Sequence, residues 1–286
     1  MSDIFQEILE RVSRRTPLVH CITNYVTVND CANILLACGG SPIMADDAGE
    51  VEEITALCDG LVLNIGTLNQ RTVSSMLLAG RRANQLGHPV VLDPVGAGAS
   101  ALRTRTALEL VEQLQLAVIR GNLSEIKTLW KGSGETKGVD VSQADNDSLS
   151  ERVCLARELS RETGAVVVIT GAVDVVATAS AEGRSGHSGQ AGGYFIRNGH
   201  PQMAKITGSG CMLSAMTAAY CAANPDSLLE AAACATAVMG YSGQLAWQRV
   251  QKEPNAGTGS LRTYLIDGVS RMDWTRLKGG IQIERF

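Results

Sequence analysis

The stretch GLVLNIGTLNQRTVSSMLLAGRRANQLGHPVVLDPVG, residues 60–96, decides the fold. It opens on GLVLNIG (60–66) and closes on HPVVLDPVG (88–96), two short, continuously apolar runs bounded by glycine and proline. Between them QRTVSSMLLAGRRANQLG reads as a helix. A strand with no polar alternation expects burial on both faces, and two such strands joined through a helix expect a parallel pair with a crossover. The pattern continues outward in LAVIRGN (116–122) and AVVVITG (165–171), with SERVCLARELSRETG as a further helical segment. This order predicts an α/β fold around a mostly parallel sheet. DVVATAS (174–180) and GGYFIRNG (192–199) read as an antiparallel continuation. Beyond residue 207 the chain reads mostly as helix, and at the other end Ile4, Phe5, Ile8, Leu9 and Val12 mark an amphipathic first helix. Residues 131–149 suit a surface excursion and 181–192 a mobile hairpin tip. No repeat, linker or composition shift divides the chain, so one domain over residues 1–286 is expected.

Composition narrows the functions open to it. The net charge is −4 from 25 Lys and Arg against 29 Asp and Glu, which offers no reason to expect nucleic acid or an anionic membrane. No run reaches the roughly 18 uncharged apolar residues of a membrane span. Seven of the eight cysteines read as buried free thiols in a reducing compartment, which points to the cytoplasm. Their spacings disfavour zinc. Of the histidines, His20 and His88 lie near element starts, His187 in the hairpin and His200 in a turn, and none forms an evident base-and-partner pair.

Each apolar run ends in a polar residue: Asn64, Asp93, Arg120 with Asn122, and Thr170. In an open parallel sheet those ends border the ligand crevice, although strands also end in polar residues simply because loops follow them. In KITGSGCMLSAM (205–216) a glycine turn enters a helix, and Cys211 stands at its mouth. Free N–H groups and the helix dipole make such a turn an anion hole around Gly208 and Gly210, or else an ordinary turn before a packed helix. A thiol at a helix N-terminus is expected to titrate below its ordinary value of about 8.5, so Cys211 would accept or orient the proton of an attacking alcohol. Asn122 and Glu125, three apart at a helix start, fit a capping box. A carboxylate beside Arg120 could also hold hydrated magnesium, with Asp93 as the second acid. Asn24 and Tyr25 follow the apolar LVHCIT, while GGSPIMADD (39–47) puts Met44 in a loop, as a gap-filler or the wall of a ring pocket.

HCITNYVTVNDCANILLACGGSPIMA, LVLNIGTL, PVVLDPVGAGA, IRGNLSEI, VVVITGAVDVV and KITGSGCMLSA, in this order over about residues 16–240, resemble the hydroxyethylthiazole kinase family. The resemblance implies a ribokinase-like three-layer αβα sandwich. It implies ATP- and Mg²⁺-dependent phosphorylation of the primary alcohol of 4-methyl-5-(2-hydroxyethyl)thiazole in thiamine salvage. It would put Arg120, Asn122 and Thr170 on ATP, Asp93 and Glu125 around magnesium, and Met44, Asn24, Gly66 and Gly208 around the thiazole. Gly208 and Gly210 would form the anion hole beside Cys211, the family's cysteine, where many related kinases carry aspartate. A homotrimer with sites between subunits is also implied. The competing readings are a related kinase for hydroxymethylpyrimidine or pyridoxal, a dehydratase of hydrated nicotinamide nucleotides, and a silent nucleotide-binding regulator.

Overall fold

The computed structural model describes residues 2–133, 148–179 and 192–286. The strands are β1 (Leu18–Ile22), β2 (Ser41–Met44), β3 (Gly60–Asn64), β4 (Val90–Asp93), β5 (Val118–Asn122), β6 (Val166–Thr170), β7 (Asp174–Thr178), β8 (Gly192–Ile196) and β9 (Ile283–Arg285). The helices are α1 (Ser2–Arg15), α2 (Val28–Cys38), α3 (Val51–Leu57), α4 (Gln70–Leu86), α5 (Ala101–Gln113) and α6 (Leu123–Ser133). They continue with α7 (Leu149–Thr163), α8 (Ser209–Ala223), α9 (Leu228–Val250), α10 (Thr258–Ser270) and α11 (Trp274–Lys278). The strands form one sheet in the order β2-β1-β3-β4-β5-β6-β7-β8-β9. Pairing is parallel from β2 through β6 and antiparallel from β6 onward.

Successive strand residues point to opposite faces, and here they divide between two apolar cores. Val62, Val91, Val118, Val166 and Val168 pack with residues of α1, α2, α8 and α9. Leu61, Leu63, Val90, Leu92, Ile119, Val167 and Ile169 pack with residues of α4 to α7. This is a ribokinase-like αβα sandwich, and the continuous apolar runs follow from it, since each strand face meets a helical layer. Helix ends are set locally: Asn69 and Thr72 form a capping box at the start of α4, and Gly87 ends it in the left-handed region. Helix α8 is buried almost all round, packed on the sheet and against α1, α2 and α9. Among the described residues no helix is long and apolar enough to cross a membrane.

Three expectations change. Met44 is the last residue of the edge strand β2, not a loop residue, because β2 pairs with β1 through Cys21 opposite Met44. The tail is mostly helix, as expected, and ends on a short strand, β9, which adds to β8. Asn198 draws this tail in, accepting from the Gln282 N–H at 2.7 Å and donating to the Gly280 carbonyl at 2.9 Å. Cys154 is exposed on α7, while Cys21, Cys31, Cys38, Cys58, Cys221 and Cys234 are buried, so six thiols, not seven, are core residues. Residues 131–133 of the expected surface excursion finish α6. Its 134–147 portion, and the hairpin tip up to residue 191, lie outside the described residues.

Gly240 in α9 faces the backbone of Asn198, and a Cβ there would lie 2.5 Å from the Asn198 carbonyl oxygen. Backbone cannot step aside as a flexible side chain can. Gly240→Ala should therefore cost about 1–3 kcal/mol, read as a lower urea midpoint at unchanged m-value.

Candidate active site

The C-terminal ends of the parallel strands converge on the N-terminus of α8. Asn64 and Asp93 are register partners at the ends of β3 and β4, and Asn122 and Thr170 are partners at the ends of β5 and β6. Gly208 caps α8 with φ +83°, and a Cβ there would also strike Thr27 Cγ2 at 2.2 Å. Gly210 gives up its side chain to Arg120, whose Nη1 and Nη2 would stand 2.6 and 2.8 Å from a Cβ. Arg120 thus lies across the first turn of α8, where unpaired N–H groups and the helix dipole already favour an anion.

Cys211, half-buried in that turn, accepts from two side-chain amides, Asn24 Nδ2 and Asn64 Nδ2, each at 3.2 Å. The amide orientations are set by backbone donors, which leave no choice of flip. Asn24 Oδ1 accepts from the N–H groups of Val26 and Thr27 at 3.1 and 3.2 Å. Asn64 Oδ1 accepts from Gly66 N–H at 2.9 Å and from Asn24 Nδ2 at 3.0 Å. The expectation of an acidified thiol is overturned. Burial and then the negative charge of Asp93 raise the Cys211 pKa, and hydrogen bonds from Thr27, Asn24 and Asn64 offset this only in part.

Asp93 is fully buried. Its Oδ2 accepts from Asn64 Nδ2 and from Ser214 Oγ, both at 2.8 Å. Its Oδ1 has no hydrogen-bond partner and lies 3.6 Å from Arg120 Nη1. Burial raises the Asp93 pKa, opposed first by Arg120, while Glu125 adds to the rise. Arg120 Nη2 donates to Thr170 Oγ1 at 2.9 Å. Nearby Asp174, which accepts from Gly171 N–H at 2.8 Å, is raised to about 6 by burial, against the pull of Arg120 and Arg152.

Asn122 and Glu125 do form the capping box: Glu125 N–H donates to Asn122 Oδ1 at 2.9 Å, and Asn122 N–H to Glu125 Oε2 at 2.8 Å. Glu125 Oε1 accepts from Gly96 N–H at 2.8 Å, so the same carboxylate ties the turn after β4 to α6. Each carboxylate oxygen keeps one further acceptor site. Among the described residues no group of three His, Cys, Asp or Glu is arranged to hold a metal. Gly66 lies against Asn24 and Asn64, where a Cβ would sit 3.0 Å from either side chain, and its carbonyl accepts from Arg103 Nη2 at 2.6 Å. Met44, at the end of β2, packs partly buried on the core.

The structure therefore brings together Cys211, Gly208, Gly210, Asn24, Gly66, Asp93 and Arg120 with Thr170. It gives Asn122 and Glu125 structural bonds as well. Residues without a predicted role also enter: Asn64 bridges Cys211 and Asp93, Ser214 braces Asp93, and Thr27 fills the space at Gly208. Ser214 was detectable as the residue three after Cys211, on the same helix face. Thr27 has no sequence signal, since only the fold brings it to Gly208.

Comparison with known proteins gives consistent results. Residues 9–274 match the model of the hydroxyethylthiazole kinase family. Hydroxyethylthiazole kinase of Clostridium acetobutylicum is 54% identical over 99% of this chain and 100% of its own. That of Desulfovibrio desulfuricans is 48% identical over 99% and 98%. A solved hydroxyethylthiazole kinase structure from Pyrococcus horikoshii superposes with a TM-score of 0.85 at 36% identity, covering 99% of both chains. Pyridoxal kinase of Staphylococcus aureus, at TM-score 0.59 and 15% identity over 94% and 97%, shares the fold.

Gly208→Ala would impose a left-handed backbone on a residue with a Cβ, at a cost of about 1–2 kcal/mol before the contact with Thr27 is added. A lower thermal midpoint for this variant than for wild type is the expected result.

Proposed function

Because the chain belongs to the hydroxyethylthiazole kinase family, we propose that this crevice transfers the terminal phosphoryl group of ATP to the primary alcohol of 4-methyl-5-(2-hydroxyethyl)thiazole, a step of thiamine salvage. The observation that carries the reading is Cys211 at the mouth of α8, held between two amides and facing the Asp93–Arg120 pair. Phosphoryl transfer needs in-line placement and stabilisation of charge on the equatorial oxygens more than covalent chemistry. Arg120 and the free N–H groups after Gly208 supply that stabilisation from one side. Thr170, bonded to Arg120, and the side-chain NH₂ of Asn122 complete the nucleotide side. Asn24, Gly66, Gly208 and Met44 border the acceptor side and orient the thiazole.

Magnesium fits the donor set. Asp93 Oδ1 is a buried carboxylate oxygen without a hydrogen-bond partner, and Glu125 has acceptor capacity left for a bound water. Mg²⁺ takes few protein oxygens and keeps several waters. When bound between Asp93 and Glu125 it would neutralise phosphate charge. Tyr25, Val26 and Val28 are exposed apolar residues beside Asn24, with Tyr25 and Val26 at 63% and 65% exposure. They support a homotrimer whose subunit contacts border the site. We assign the protein to the cytoplasm on its free thiols.

Cys211 is a thiol at neutral pH, since its pKa is raised. There its sulfur orients the alcohol, and as the phosphoryl group arrives the hydroxyl proton passes to an oxygen of that group and from it to solvent. The thiolate fraction grows with pH up to the raised pKa, so wild-type kcat should climb above neutrality. Cys211→Ala should lower kcat at least about tenfold, flatten that climb and leave ATP binding nearly unchanged. Cys211→Asp replaces the thiol with a carboxylate, a group whose ordinary pKa of about 3.9 lies well below the thiol's 8.5, and should keep or raise activity at pH 7. An unchanged kcat in Cys211→Ala would remove the proton-handling role.

Substrate class is tested by ADP release from ATP and Mg²⁺ with the hydroxyethylthiazole, hydroxymethylpyrimidine or pyridoxal offered singly. The thiazole should give turnover well above the other two. ATP binding without turnover on any of them would favour a silent nucleotide-binding regulator.

A further inference from the structure

Asn64 uses its whole hydrogen-bonding capacity inside the site. Its Oδ1 accepts from Gly66 N–H and Asn24 Nδ2, and its Nδ2 donates to Asp93 Oδ2 and Cys211 Sγ. It is 2% exposed, so water cannot replace these bonds. A merely structural amide at a strand end needs only the Gly66 bond. The two Nδ2 bonds instead join the residue that meets the alcohol to the carboxylate on the phosphate side, through one rigid planar group. Because Gly66 N–H settles which end of the amide is oxygen, the NH₂ end has to face the sulfur and the carboxylate.

We propose that Asn64 is a positioning residue for phosphoryl transfer: its side-chain NH₂ holds the Cys211 thiol in a fixed orientation toward the alcohol and keeps it in register with Asp93. The proposal rests on the kinase reading above, with Asn24 as the second arm of the clamp. The thiol proton has no side-chain amide oxygen to point at, since both amides present N–H to the sulfur. The lone pairs of the sulfur are thereby engaged from the protein side, which fixes the direction left open to the substrate hydroxyl. Removing the NH₂ of Asn64 would free the sulfur to turn and would leave Asp93 Oδ2 with Ser214 alone.

The isosteric Asn64→Asp variant tests this, because it keeps an acceptor for Gly66 N–H and replaces the NH₂ with an oxygen. Two readouts are taken. The first is the rate of Cys211 alkylation by iodoacetamide at one pH, in protein free of Mg²⁺ and nucleotide, resolved by peptide mass spectrometry. Exposed Cys154 on α7 is the internal reference. The second is steady-state kinetics with ATP and the thiazole. The expected result is at least about tenfold slower alkylation of Cys211 at an unchanged Cys154 rate, with kcat down at least about tenfold and both KM values within about threefold.

Unchanged Cys211 alkylation in a folded variant overturns the proposal. So does a loss confined to the KM for the thiazole, which would make Asn64 a pocket wall. If Asn64→Asp does not fold, Asn64→Ser is measured in the same way. Its single short hydroxyl cannot span both partners, so a smaller slowing of the same kind supports the proposal and no slowing overturns it. A wild-type protein without thiazole turnover would sink the kinase reading, while the alkylation comparison would still decide whether Asn64 controls Cys211.

Discussion

Burying the carboxylate of Asp93 is the constraint on which the rest of the site depends. A carboxylate removed from water is costly unless hydrogen bonds and an opposite charge compensate it. Its partners come from three elements: Asn64 from β3, Ser214 from α8 and Arg120 from β5. Satisfying one buried acid therefore fixes two neighbouring strand ends and the first turns of α8 against one another. Cys211 and Gly210 take their places from the same set of bonds.

The two apolar cores make that arrangement rigid. Helix α8 has almost no solvent-facing side, so it cannot rotate about its axis without moving residues of α1, α2, α9 and the sheet. Interiors packed at crystal-like density resist such movement. The N-terminal turn of α8 is consequently held in a fixed position, with Arg120 laid across it where Gly210 leaves room. The strand ends of the ribokinase-like sheet and the free N–H groups of α8 thus face one another.

The same packing explains the altered thiol. Position at a helix N-terminus argues for a lowered pKa, yet enclosure beside Asp93 raises it. Two amide donors then do what the dipole alone cannot: they direct the sulfur while it stays protonated at neutral pH. Glu125 is a parallel case. It serves the capping box of α6 and the turn at Gly96 with both oxygens, and any role toward a cation is added to that structural work.

Much of this was legible in the chain itself. Runs such as LVL and VVVI report strands buried on both faces because an apolar residue at every position has no other stable place. The glycine turn before Cys211, the family motifs and the polar strand ends at Asn64, Asp93, Arg120 and Thr170 are likewise local. Met44 was misplaced because β2, an edge strand, lacks the continuous apolar run of an interior one. Cys154 was misread because the apolar spacing around it left the side of α7 it occupies undecided. The bridge of Asn64 between Cys211 and Asp93, the approach of Thr27 to Gly208 and the direction of the Cys211 shift were decided only by tertiary structure. Periodicity and motif depend on neighbours along the chain. Desolvation, charge proximity and amide orientation depend on which distant residues the fold brings within 3 Å or so of one another.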